Sequence, residues 1–210
     1  NPIGSFKRIL KRKYINLLLM SSKLYLLSLT SLLLISSFSE CKKKDNSVPE
    51  PISNITYSTS GTKTISYLAL GDSYTKAECE IPSNSYPAML VDKLLKSNIN
   101  IENFQVIAQT GWRTDNLKNA IITAALEDTF DLVSLLIGVN NQFQGKSPDA
   151  YRIEFRELLE MAIYYAKGNK NNVFVLSIPD YGATPYGSGN EVYIGQQIDL
   201  FNQINNEVTD

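Results

Sequence analysis

Four short apolar runs, each halted by a turn and each followed by a stretch of helical periodicity, set the tightest limit on how this chain can fold. Residues 65–70 stop at Gly71, residues 103–108 at Gln109, residues 131–137 at Gly138 and residues 173–178 at Pro179. Between the first two lies residues 86–96, with Met89, Leu90, Leu94 and Leu95 at helical spacing. Residues 115–126 carry Leu117, Ile121, Ile122 and Leu126 on one stripe. Ser147-Pro148-Asp149 is a helix-start signal: Ser is expected to cap, Pro fits the first turn and Asp favours the positive end. That helix runs to about Lys167, buries Leu158, Leu159, Ala162 and Ile163, and stops at Gly168. Residues 193–208 begin a fourth helix. Strand and helix alternating in this way predict a parallel, flavodoxin-like sheet in a three-layer α/β/α sandwich. Right-handed crossovers then bring every strand's C-terminal end to one rim, where ligands bind in such sheets.

The rest of the chain has a different character. Residues 1–41 hold six cations (Lys7, Arg8, Lys11, Arg12, Lys13, Lys23) and one anion, Glu40, whereas residues 42–210 hold 14 cations and 20 anions. An acidic body gives no footing for nucleic acid, which needs clustered Lys and Arg. The basic cluster precedes an uncharged run of fifteen residues, 24–38, which is the order of an export signal and short for a spanning helix. Cys41 follows directly, then Lys42-Lys43-Lys44-Asp45. This resembles a bacterial lipoprotein signal, in which the cysteine is lipidated, although Glu40 and Phe38 stand where such signals have a small residue and Leu. The expectation is an exported, envelope-located lipoprotein with a signal over 1–41, a polar tether over 42–64 and a folded domain over 65–210. A signal anchor and simple secretion are the alternatives. Lipidation of Cys41 leaves Cys79 without a partner thiol in the chain. Glu78 and Glu80 flank Cys79 and disfavour its thiolate, so it is not read as a nucleophile.

Three rim loops carry polar residues suited to acyl chemistry. The first is Gly71-Asp72-Ser73-Tyr74-Thr75, where Ser73 lies at the mouth of the sheet; the same tripeptide is also ordinary turn vocabulary. The second is Gln109-Thr110-Gly111-Trp112-Arg113-Thr114, in which Gly111 permits close backbone approach to a ligand or, alternatively, only turns the chain while Thr114 caps the next helix. The third is Gly138-Val139-Asn140-Asn141-Gln142, whose Asn140 amide can donate to an anion or bond its own turn. In this order and on these strand ends, the three segments resemble the SGNH (GDSL) hydrolase family over residues 65–210. The third loop looks like the variant of lipid-anchored members from Bacteroidetes-type bacteria, with Asn141 where the family usually has Asp.

The resemblance implies a serine ester hydrolase without metal or organic cofactor. It makes Ser73 the nucleophile that forms an acyl-enzyme. The oxyanion hole is then the N–H groups of Ser73 and Gly111 with the Asn140 side chain. It leaves Asp72 to shape the turn. Trp112 and Tyr181 are candidate pocket walls, and an acyl ester of a lipid, a carbohydrate or a small alcohol is the expected partner. The family takes its general base from an Asp-x-x-His block after a fifth strand. The 210 residues contain no His. Ordinary carboxylates, with pKa about 4, are weak bases, so Asp180, Glu78 and Glu80 are not taken as substitutes. The expectation is that the last strand and helix, and the Asp and His with them, lie beyond residue 210, and that the 210-residue chain is nearly inactive. A non-catalytic surface-binding lipoprotein of the same fold is the rival. A phosphate loop is excluded at 138–147, because six residues rather than four separate Gly138 from Gly145-Lys146-Ser147.

Overall fold

The computed structural model describes residues 63–210; the signal and nearly all of the tether lie outside the described residues. Four strands, β1 (Lys63–Gly71), β2 (Ile99–Ala108), β3 (Leu132–Leu136) and β4 (Val173–Val175), form one parallel sheet in the order β2-β1-β3-β4. The helices between and after them are α1 (Ser73–Lys76), α2 (Tyr86–Leu95), α3 (Thr114–Ala124), α4 (Val139–Phe143), α5 (Pro148–Tyr165) and α6 (Glu191–Thr209). This is the α/β architecture read from the sequence.

Side chains of β1 alternate between two cores, as a pleated strand requires. Leu68 and Leu70 join Val133, Leu135, Leu117, Ile121, Phe155, Leu158, Ile198 and Phe201 on the face covered by α3, α5 and α6. Tyr67 and Ala69 join Ile101, Phe104 and Val91 on the face covered by α2. Ser134 interrupts the apolar run of β3 because it faces this second core, where its hydroxyl meets those of Tyr67 at 2.7 Å and Tyr86 at 3.1 Å. Burial pushes the Tyr86 phenol up to about 12, so these remain neutral hydrogen-bonding hydroxyls.

The chain runs outward from β1 to β2, then reverses and crosses to β3. A right-handed crossover in the reverse direction must use the opposite face, which is why α2 and α3 lie on opposite sides of the sheet. The reversal opens a crevice above the C-terminal ends of β1 and β3. Register places Gly71 beside both Ala108 and Leu136, so the first three loops leave the sheet at one level from neighbouring strands.

Several boundaries differ from the sequence reading. β1 starts at Lys63, within the segment read as tether, because Lys63 and Thr64 pair with Ile99 and Asn100. β2 starts four residues early for the same reason: Asn100 and Glu102 hide an edge strand in polar sequence. Ser147 occupies the N-cap of α5 without a capping side-chain bond. Thr114 is not a cap but the first residue of α3, preceded by Arg113 at the N-cap. Asn116 Oδ1 accepts from the Arg113 N–H there at 3.1 Å.

Candidate active site

Loop 1 turns directly from β1 into α1. A Cβ at Gly71 would lie 1.9 Å from Thr75 Oγ1 and 2.5 Å from the Leu136 carbonyl, so the close turn requires glycine. Thr75 is buried beneath it. Asp72 is the N-cap, with Oδ1 accepting from the Tyr74 N–H at 3.0 Å. Its carboxyl is pushed up to about 7 by burial, against the pull of the Tyr74 and Asp72 N–H groups. The Asp72 carbonyl takes the N–H groups of Thr75 and Lys76. Ser73 opens α1 with a half-buried side chain, where a helix's first N–H groups lack intrahelical partners.

Loop 2 is a tight turn closed by the Trp112 N–H on the Gln109 carbonyl at 3.3 Å. Gly111 holds its third position at φ +82°, as a type II turn demands, and it is exposed. Loop 3 begins with Gly138 at φ +130°, where a Cβ would meet Tyr151 Oη at 2.5 Å and Ile178 Cδ1 at 2.7 Å. It runs straight into α4, which carries Asn140 to Phe143.

The loops are tied to one another across the crevice. Asn140 Nδ2 donates to the Trp112 carbonyl at 2.9 Å, which orients the amide and uses one of its two hydrogens. Asn141 is buried, and its Oδ1 accepts from the Thr114 N–H at 3.1 Å while its Nδ2 donates to Thr114 Oγ1 at 2.7 Å. The Thr114 hydroxyl in turn donates to Glu154 of α5. Arg113 Nη1 donates to Gln144 Oε1 at 2.6 Å, and its Nη2 pairs with Asp115. Thr110 of loop 2 donates to Glu78, just past α1. Tyr181, in the loop after β4, donates to Gln142 Oε1 at 3.0 Å. Tyr74 borders the same loop: the Asp72, Tyr181 and Asp180 charges add to burial in raising its phenol.

The strand ends set the described candidates at one rim, while Cys41 lies outside the described residues. Ser73, Gly111, Asn140, Trp112 and Tyr181 all lie on loops leaving the C-terminal ends of the strands, and the side chains of Trp112 and Tyr181 pack on the main core. The carboxylates near the site are engaged: Glu78 by Thr110, Asp180 by the Gly182 N–H at 2.8 Å and Glu80 by Asn84 at 3.2 Å. Sequence reading missed Phe143 and Tyr186. Phe143 meets Tyr181 edge-on and Tyr186 at a tilt, with ring centroids 6.1 Å apart in each case, and Tyr181 lies 6.3 Å from Tyr186. Only Phe143's place one helical turn after Asn140 could have drawn attention to it. Cys79 is in a disulfide, unlike the unpartnered thiol expected.

Comparison with curated proteins returns no match. Among solved structures, TesA is 18% identical at a TM-score of 0.54, covering 68% of this chain and 72% of that one. An acetyl xylan esterase, AlAXEase, is 14% identical at 0.51, covering 69% and 74%. LAE5, an alpha/beta hydrolase enzyme from the metagenome of Lake Arreo, Spain, is 16% identical at 0.50, covering 71% and 73%. At such identities the likeness is one of fold. The sequence profile of the GDSL-like Lipase/Acylhydrolase family matches residues 69–210, which takes in the end of β1 and all four rim loops, and on that match the chain belongs to this family.

Proposed function

We propose that the protein is a serine ester hydrolase in which Ser73 Oγ attacks the ester carbonyl. The serine proton passes to a base, the alcohol leaves with that proton, and water then releases the acid from the acyl-serine. The oxyanion formed at each stage is held by the Ser73 N–H, the Gly111 N–H and the free hydrogen of the Asn140 amide. The observation that carries this reading is the Asn140 bond to the Trp112 carbonyl, which fixes that amide between loops 2 and 3 above the crevice. Removing one such donor costs about 10²–10³ in turnover.

No His stands among the 210 residues and the nearby carboxylates are engaged. The reading therefore assigns the base, with its orienting carboxylate, to residues downstream of Asp210. An Asp-x-x-His within roughly 40 codons of codon 210, on a chain of ordinary domain length, supports it; an in-frame stop favours a non-catalytic binding lipoprotein instead. With the downstream residues present, a fluorophosphonate should label the protein at Ser73 and leave Ser73→Ala unlabelled. A folded protein that takes no label refutes the hydrolase.

The same proposal places the protein in the cell envelope through a lipid on Cys41. Mass spectrometry of the mature protein shows whether Cys41 carries the lipid, and globomycin-sensitive processing at Cys41 supports the anchor.

A further inference from the structure

We propose that Glu154, on α5 and outside every rim loop, is a positioning residue for the oxyanion donors. Its carboxylate locks loop 2 against loop 3, and so sets where the Gly111 N–H and the Asn140 amide stand relative to one another. The proposal rests on the ester hydrolase reading and extends it to a helix beyond the rim.

Glu154 stands out by its place on its own helix. α5 buries Tyr151, Phe155, Leu158, Leu159 and Ala162. Glu154 lies one turn after Tyr151 and one turn before Leu158, on that same inward stripe, where helical periodicity calls for an apolar residue. A carboxylate half-buried there loses hydration, which hydrogen bonds must offset. No ion pair among the described residues engages it; Lys118 of the facing α3 pairs with Glu157 at 2.9 Å instead. Its partners are the two loops. The Thr114 hydroxyl donates to Glu154, and Asn141 Nδ2 lies 3.5 Å from Oε2.

The bond to Glu154 sets the direction of the others. With its proton on the carboxylate, the Thr114 hydroxyl can only accept from Asn141, which turns Nδ2 toward it at 2.7 Å. That leaves Asn141 Oδ1 for the Thr114 N–H at 3.1 Å, so Asn141 clasps Thr114 at two points. Two positions before Thr114, the Trp112 carbonyl accepts from the Asn140 amide at 2.9 Å. Without an acceptor at position 154, the Thr114 hydroxyl is free to donate to Asn141 instead. The Asn141 amide then reverses, and the Thr114 N–H faces its NH₂ group rather than its oxygen. The clasp opens, and the loop carrying Gly111 and Trp112 loses its seat on the loop carrying Asn140.

α5 is a fixed base for this clasp. Tyr151 Oη lies 3.0 Å from the Ile137 carbonyl, and a Cβ on Gly138 would come within 2.5 Å of that hydroxyl. One face of α5 therefore meets the root of loop 3 through Tyr151 and the end of loop 2 through Glu154.

The test follows hydrolysis of p-nitrophenyl acetate, fluorophosphonate labelling, and acrylamide quenching of Trp112, the one tryptophan in the chain, with the downstream residues present. All readings are taken below the melting transition of every variant. Glu154→Ala should lower kcat about tenfold, less than the roughly 10²–10³ of losing a donor outright, with KM within about twofold and Trp112 more readily quenched. Glu157→Ala breaks a second tie between the same two helices and should leave kcat, KM and quenching unchanged. Asn141→Asp alone should lose activity. Combined with Glu154→Gln it should return to within about threefold of the parent, because the carboxylate then stands on loop 3 and takes the Thr114 proton there. Unchanged kcat in Glu154→Ala, an equal loss in Glu157→Ala, or a double variant no more active than Asn141→Asp overturns the proposal. A lowered melting temperature in Glu154→Ala with kcat per folded molecule unaltered overturns it too, since that is what a merely structural tie gives. The two readings fail separately. A protein that takes no fluorophosphonate at Ser73 removes the hydrolase, while quenching raised in Glu154→Ala and not in Glu157→Ala retains the clamp; labelling at Ser73 with Glu154→Ala unaltered in turnover and quenching does the reverse.

Discussion

Replacing Asn141 by Asp, the residue usual in the family at this position, should destabilise this protein, and the reason is Glu154. The Thr114 hydroxyl spends its proton on the Glu154 carboxylate, so toward residue 141 it can only accept. Asn141 Nδ2 supplies that donor at 2.7 Å and lies 3.5 Å from Glu154 Oε2. Aspartate supplies no donor and sets a second carboxylate against Glu154 in a partly buried site. Two like charges about 4 Å apart repel by about 4 kcal/mol at an effective dielectric of about 20. Protonating the introduced aspartate at pH 7, from an ordinary pKa near 4, costs about the same. The expected loss for Asn141→Asp is therefore about 3–4 kcal/mol at pH 7, shrinking to about 1–2 kcal/mol near pH 5, where one proton is readily taken up. Glu154→Gln removes the repulsion and offers an amide to the introduced carboxylate, so the double variant should recover about 2 kcal/mol or more of that loss. Urea unfolding of the four proteins of the cycle at both pH values measures the coupling. Additivity within about 0.5 kcal/mol would show that the two side chains are independent and refute the argument.

Other consequences follow from the same geometry. Asp72 keeps its proton in the folded state up to about pH 7 but loses it near its ordinary 3.8 when unfolded. Stability should accordingly fall as pH rises from about 4 to 7, by on the order of 4 kcal/mol, and level off above that. Asp72→Asn should flatten the curve, and parallel urea midpoints for the two proteins across pH 4.5–8 would sink the assignment. Gly138→Ala combines positive φ with contacts of 2.5 and 2.7 Å and should cost about 3–5 kcal/mol. Gly111→Ala has positive φ but nothing within 4 Å of the new Cβ, so it should cost only about 1–2 kcal/mol; equal melting shifts for these two alanines would contradict the distinction. Tyr151 donates its one hydroxyl proton to Asn205 Oδ1 at 2.6 Å, with the Ile137 carbonyl 3.0 Å away in the core, so Tyr151→Phe should lose about 1–3 kcal/mol, read by thermal unfolding.

The alternation of apolar runs and amphipathic stretches made the fold legible, because each element can be recognised from its own few residues. It misjudged ends that are set by neighbours. β2 extends through Asn100 and Glu102 because β1 pairs with it. β4 stops at Val175, yet Ile178 beyond it stays buried, clasped by Asn202, which accepts from its N–H at 2.8 Å and donates to its carbonyl at 3.0 Å. At the site the loops were legible and their ties were not. Nothing in the local pattern around Asn140 points to the Trp112 carbonyl, nor does Asn141 announce a carboxylate thirteen positions away on α5. Thr114 read as a cap because hydroxyl residues usually are, but its hydroxyl was claimed by Glu154.

On the proposed reading, the site's construction separates two tasks that a serine hydrolase must combine. The reversal of the chain after β2 puts loops 1 and 3 on either side of one crevice, and register brings loop 2 to the same level. The ties that then orient the Asn140 amide run through Trp112, while those that seat loop 2 run through Asn141, Thr114, Arg113 and Gln144. All of them are made within residues 109–154, and none uses a base. Preorganised donors cost no reorganisation when charge develops, which is where such sites derive most of their effect. On the proposed reading, the Gly111 and Asn140 donors are held by ties within residues 109–154 and the third donor comes from loop 1 at Ser73, while activation of the Ser73 hydroxyl falls to a group outside these ties.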